Sequence, residues 1–302
     1  MESYKYLNIC YFNIFVKGFV SDNKRDTMYY RSLKIIGMVL LFRVALLYAA
    51  LEDLPNGAKP LAMGGAYCGA AQSPENLFYN PAAVCLKKGV KTVVFTDRLY
   101  GLKELRHNGF SSGICLRNMT LAVGIQTFGN SKYKENVFSL GVAKKFFRSV
   151  YLGADLRYGM VGIKGYGRDG TLLADLGGLV EFSDTVTWGW AIRNAFYARI
   201  GQSNEKLPQV MITGFSFSPV RQMNLNIDLY KETRFPVDYR CGIEGYFLKY
   251  LTLRTGIGTA PSRFSAGFSI MVNNFSIDYA FNTHPYLELS HFFTIGFSLN
   301  NK

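Results

Sequence analysis

Histidine is scarce, with only His107, His284 and His291 in 302 residues. No H-E-x-x-H spacing and no Ser-His-Asp order is built from them, so zinc-hydrolase and triad chemistry have no motif. No catalytic residue, metal ligand or cofactor is expected. Five cysteines (Cys10, Cys68, Cys85, Cys115 and Cys241) form no C-x-x-C pair, which removes the usual zinc and dithiol readings. Cys68 and Cys85 can pair only if the chain between them folds back; two small buried thiols is the simpler reading. After residue 50 no apolar run approaches the roughly 18 residues of a spanning helix. Acidic residues are outnumbered, 21 against 34 Lys and Arg, for a net charge of +13. That excess is spread along the body, whereas nucleic-acid binders gather charge on one face or tract. The sequence Gly165-Tyr166-Gly167 precedes no helix, so it is a poor phosphate cradle.

What is abundant points elsewhere. Hydrophobic residues make up 49% and aromatic residues 15% of the chain, and mean hydropathy is +0.06. These values lie near the border between soluble and membrane proteins. Without spanning helices, a membrane protein must be a closed barrel, because no other fold satisfies the backbone in hydrocarbon. Rings at both interfaces then account for the aromatics.

The N-terminal part reads as an export signal. Residues 28–34 are basic, residues 35–48 are apolar around Arg43, and Ala49 and Ala50 offer small residues for cleavage. Met28 is the expected initiator, residues 1–27 an upstream extension, and residues 28–50 the signal peptide. Cleavage is expected near Ala49 or Ala50, with the mature chain starting near Leu51.

From residue 90 onward the chain alternates with period two. Leu152, Ala154, Leu156 and Tyr158 oppose Gly153, Asp155, Arg157 and Gly159; Leu225, Ile227 and Leu229 oppose Asn226, Asp228 and Tyr230. One apolar face against a face of Gly, Ser and charge is a strand half in oil. Fourteen such segments are expected, with tight turns alternating with longer connections such as 98–109, 161–172 and 196–208. That parity suits a membrane barrel with tight periplasmic turns and longer outer loops. Trp188 and Trp190 point outward near a short turn, where interface anchors sit. Asp155, Arg157, Arg193, Asp228, Arg240, Glu244, Arg254 and Asp278 fall on the opposite face, toward the lumen. They either line a polar conduit or pair with one another and hold a plug.

Residues 58–83 are not strand-like. Ser73-Pro74-Glu75 reads as a helix start, with Ser73 as cap and Pro74 at the first helical position. The helix must end before Pro81, which disfavours a helical Asn80. Gly64 and Gly65 permit positive φ or close backbone approach, and the alanines suit a narrow cylinder. The run Ala62-Met63-Gly64-Gly65-Ala66 followed by Leu77-Phe78-Tyr79-Asn80-Pro81-Ala82 resembles the opening of FadL/PorV-type outer-membrane barrels, the long-chain fatty-acid transporters and their type IX secretion PorV- and PorQ-like relatives. Gln72 and Ser73 stand where many relatives are acidic, and Ala83 where many have Gly. The closing stretch, Phe292 to Leu299, resembles the strand by which such barrels are recognised for assembly.

The resemblance implies an all-β transmembrane antiparallel barrel of about 14 strands over residues 90–302, with a small helical plug over 51–89. It also implies a bacterial, Gram-negative outer-membrane location and a hatch formed by Gly64, Gly65, Asn80, Pro81 and Ala82. Two functions follow from it: passage or binding of a hydrophobic ligand such as a fatty acid, or a scaffold or shuttle role for secretion-system proteins or exported cargo. A secreted soluble all-β protein, with the apolar rows as its core, is the alternative to the barrel itself.

Overall fold

A strand whose alternate residues are apolar must hide one face, and here the apolar rows turn outward. The computed structural model describes residues 50–70, 73–84, 89–202 and 204–299. The expected upstream extension and nearly all of the signal segment lie outside them. Sixteen strands occur among the described residues. On the ascending side of the chain are β1 (Gly89–Arg98), β2 (Arg106–Leu116), β3 (Met119–Gly129), β4 (Tyr133–Lys145), β5 (Val150–Ile163), β6 (Gly167–Glu181) and β7 (Val186–Arg193). The chain then makes a small hairpin, β8 (Arg199–Ile200) with β9 (Glu205–Lys206). It returns through β10 (Val210–Val220), β11 (Met223–Glu232), β12 (Asp238–Leu248), β13 (Leu251–Thr259), β14 (Ser262–Val272), β15 (Phe275–Asn282) and β16 (Ser290–Leu299).

All except β8 and β9 join one closed antiparallel barrel of 14 strands, sealed where β1 pairs β16 from Val90↔Leu299 to Arg98↔His291. Closure removes both sheet edges, which is what a strand in hydrocarbon requires. The outward rows remain bare: Leu140 is 64%, Ile227 58% and Ile295 59% exposed. A soluble β-protein would bury those rows as its core, so the soluble alternative does not fit. Trp188 and Trp190 lie on this outward face; Trp188 stacks on Phe182 and its Nε1 donates to Thr213 Oγ1 at 2.9 Å.

The outward band makes a direct prediction. Leu140→Arg places a cation near the middle of β4 and should cost about 2–4 kcal/mol, whereas Phe147→Arg, in the turn before β5, should cost no more than about 1 kcal/mol. Folding yield into lipid vesicles reads the difference; equal yields would refute a lipid-facing band.

The connections correct one expectation. The turns after β2, β4, β6, β10, β12 and β14 are all tight, but the other end varies. The stretch 161–172, expected as an outer loop, is mostly strand: β5 continues to Ile163, β6 begins at Gly167, and Val161↔Asp169 and Gly162↔Arg168 pair. Polar Arg168-Asp169-Gly170 reads as loop by composition, yet a ladder can continue past the membrane, where both faces meet water. In the same way His107, expected in a loop, lies in β2 with its ring turned inward and 1% exposed.

Candidate functional site: the plugged lumen

The inward faces are rich in glycine and short polar residues, which leaves a space that residues 51–70 and 73–84 occupy. Gly57 (φ 83) turns the chain into a five-residue helix, α1 (Ala58–Ala62). Two 3-10 turns follow, Pro74–Phe78 and Pro81–Val84. The hydroxyl of Ser73 does not cap the first of these as expected; it donates to the Glu75 carboxylate instead. Burial pushes the Glu75 carboxyl above its ordinary range, with Lys59 opposing.

Asn80 is the tie of this segment. Its Nδ2 donates to Cys68 O at 2.9 Å and to Gly178 O of β6 at 3.0 Å, while Oδ1 accepts the Ala82 N–H at 3.0 Å. Buried amides need such partners, and Asn80 supplies them for plug and wall together. Pro81 and Ala82 lie against Gly153 of β5, where an added Cβ would sit 2.4 Å from Pro81 C and Ala82 N. Gly64 (φ 69) and Gly65 (φ 82) both use positive φ. Gly64 is more than a flexible point, because a Cβ there would lie 2.5 Å from Ile257 O of β13.

All eight charged residues expected toward the lumen lie on inward positions, and most bind something specific. Asp228 Oδ2 accepts the Tyr67 and Cys68 N–H groups, each at 2.8 Å. Arg240 Nη1 donates to Gly65 O at 3.4 Å and its Nε pairs with Asp238 at 2.8 Å. Arg193 meets Asp53 at 2.5 Å and Asp175 at 3.9 Å. Arg157 pairs with Asp175 at 2.7 Å, and Arg254 with Glu244 at 2.5 Å. Arg254 also donates to Ser269, Ser269 to Asp278, and Lys59 of α1 stands 3.6 Å from Asp278. Asp155 is buried on β5 two residues from Arg157.

Sequence reasoning misses Asp53, Asp175, Asp238 and the buried His107–Asp97 pair, whose Nδ1 and Oδ2 lie 3.0 Å apart. Asp175 and Asp238 share the inward parity of Arg157 and Arg240, and that parity is the signal that marks them. Cys68 is a free, buried thiol; Cys85 lies outside the described residues. Between residues 51–56 and the wall remains a cavity of about 30 Å³, lined by Leu51, Asn56, His107, Glu135, Arg157 and Arg193 among others. That is space for water, not for an acyl chain.

No protein-family model and no curated protein matches the chain. Solved structures do. The Pseudomonas putida toluene transporter TodX matches with a TM-score of 0.63 at 12% identity, over 84% of this chain and 100% of that one. The Ralstonia pickettii toluene transporter TbuX matches with 0.60 at 12%, over 82% and 98%. A Pseudomonas aeruginosa FadL homologue matches with 0.55 at 9%, over 83% and 100%. The closed antiparallel barrel of 14 strands therefore has the fold of the FadL-type outer-membrane β-barrels.

Proposed function

We propose that this protein carries a hydrophobic or amphipathic small molecule across the bacterial outer membrane, with residues 51–84 acting as the gate. The observation that carries this reading is how the segment is held. Hydrogen bonds and ion pairs tie much of it to the inner wall, through Asp228, Arg240, Asn80 and Asp278. Such contacts can be exchanged for water one at a time, whereas an apolar core is lost all at once. The fold neighbours TodX and TbuX are toluene transporters, which favours an apolar solute of that size or larger. In this reading Gly64, Gly65, Asn80, Pro81 and Ala82 form the hatch, and its lumen-side charges hold it shut.

Pro81→Ala leaves the shape of the second 3-10 turn nearly intact but relaxes its preset φ. It should change the uptake rate of a labelled aromatic hydrocarbon or long-chain fatty acid by several-fold in cells, with normal assembly. Unchanged uptake in a well-assembled variant would overturn the gate. Gly64 is a poorer probe, since any side chain there meets the backbone of β13.

A further inference from the structure

Leu51 is held in a way that suits a chain terminus better than a residue within a chain. Its backbone nitrogen lies 2.9 Å from Glu135 Oε1. Glu135 faces inward on β4, is 5% exposed, and its Oε1 also accepts the Tyr133 hydroxyl at 2.5 Å. Among the described residues no Lys or Arg pairs with it. A carboxylate buried this deeply is held charged by a cation or by hydrogen-bond donors, and here the donors are the Leu51 nitrogen and the Tyr133 hydroxyl, with His107 lining the same cavity. The side chain of Leu51 has its own socket: a Cβ added to Gly159 of β5 would lie 2.6 Å from Leu51 Cδ1.

The backbone conformation is the second observation. Leu51 has φ 53, a left-handed conformation in which a non-glycine side chain crowds the adjoining backbone. The angle exists only because residue 50 is attached; a free amine has no preceding carbonyl to define it.

We infer that the mature chain begins at Leu51, and that its α-ammonium is the cation paired with Glu135, locking the start of the plug into the lumen. A signal peptidase hydrolyses the Ala50–Leu51 peptide bond. Water supplies the hydroxyl that completes the Ala50 carboxyl group and the hydrogen taken up by the Leu51 nitrogen, which binds a further proton near neutral pH. Capture of a terminal amine by polar groups is an established recognition mode; here donor and acceptor belong to one chain. The inference rests on the proposed outer-membrane gate.

The test uses the full chain, expressed and recovered from outer membranes. Intact-mass and N-terminal sequencing should give Leu51 as the first residue. An amine-acylating reagent at pH 8 should label the Leu51 amine at least about tenfold more slowly in the folded protein than after heat denaturation, because pairing with a carboxylate raises an amine pKa by a unit or more. In Glu135→Gln the folded rate should rise toward the denatured one. A membrane-embedded protein starting at another residue, or a folded amine labelled as fast as the denatured one, overturns the inference and leaves the gate reading intact. If Glu135→Gln fails to assemble, the wild-type start and labelling rates decide alone. Recovery outside the membrane overturns both readings.

Discussion

Gly256→Val is expected to expel the plug from its seat while the barrel still closes. Gly256 faces inward on β13, and a Cβ there would lie 2.2 Å from both Gly64 N and Met63 C. Both obstacles are backbone, so no rotamer change relieves them. The same situation recurs around the wall: a Cβ on Gly242 would meet Met63 O at 2.5 Å, and one on Gly189 would meet Cys68 O at 2.2 Å. Overpacking a tight interior costs about 1–3 kcal/mol per substitution, and the plug has an alternative that a core lacks, since it can swing out. The expected result is rapid protease cleavage within residues 57–84 of Gly256→Val, with a barrel that keeps its heat-resistant gel mobility. Ala154→Val, on the outward face of β5, should keep wild-type protection. Full protection of the plug in Gly256→Val would show that the wall glycines do not form its seat.

Arg193→Leu should be the most damaging single change among the lumen charges. Arg193 is 6% exposed and lies between Asp53 of the plug and Asp175 of β6. Asp175 keeps Arg157 at 2.7 Å and the Asn194 N–H at 2.8 Å. Asp53 keeps the Tyr230 hydroxyl at 2.9 Å but loses its guanidinium. Breaking a buried pair from one side costs about 3–5 kcal/mol, because a charge is left uncompensated. The midpoint of heat- or urea-induced unfolding should fall accordingly. Arg193→Leu with Asp53→Leu should recover part of that loss, since the carboxylate that Arg193 faced is removed with it. If the double variant is as unstable as the single one, the pair is not what Arg193 contributes.

Local periodicity alone makes the strands legible. Leu225, Ile227 and Leu229 alternate with Asn226, Asp228 and Tyr230, and the side-chain period of a strand depends only on its own backbone. The same parity sorts the eight lumen charges. It fails at residues 161–172, where composition favours a loop but pairing with a neighbour extends β5 and β6. Local preference also fails at Ser73, whose hydroxyl meets Glu75 rather than the amides of the turn it precedes.

The sequence by itself determined that the chain forms an even-numbered antiparallel barrel, how the residues of its clearly alternating strands divide between two faces, and that a non-strand segment precedes it. Each of these depends on spacing along the chain, which a single strand or turn expresses without help. Only the tertiary structure decided what each inward residue meets. Asp53 reaches Arg193 across 140 positions, Tyr67 reaches Asp228 across 161, and Leu51 reaches Glu135 across 84. Those contacts depend on the stagger at which β1 meets β16 and on the depth of the plug, quantities that belong to the closed cylinder as a whole. The wall glycines show the same division: their type is in the sequence, but the need for them appears only when another backbone is laid against them.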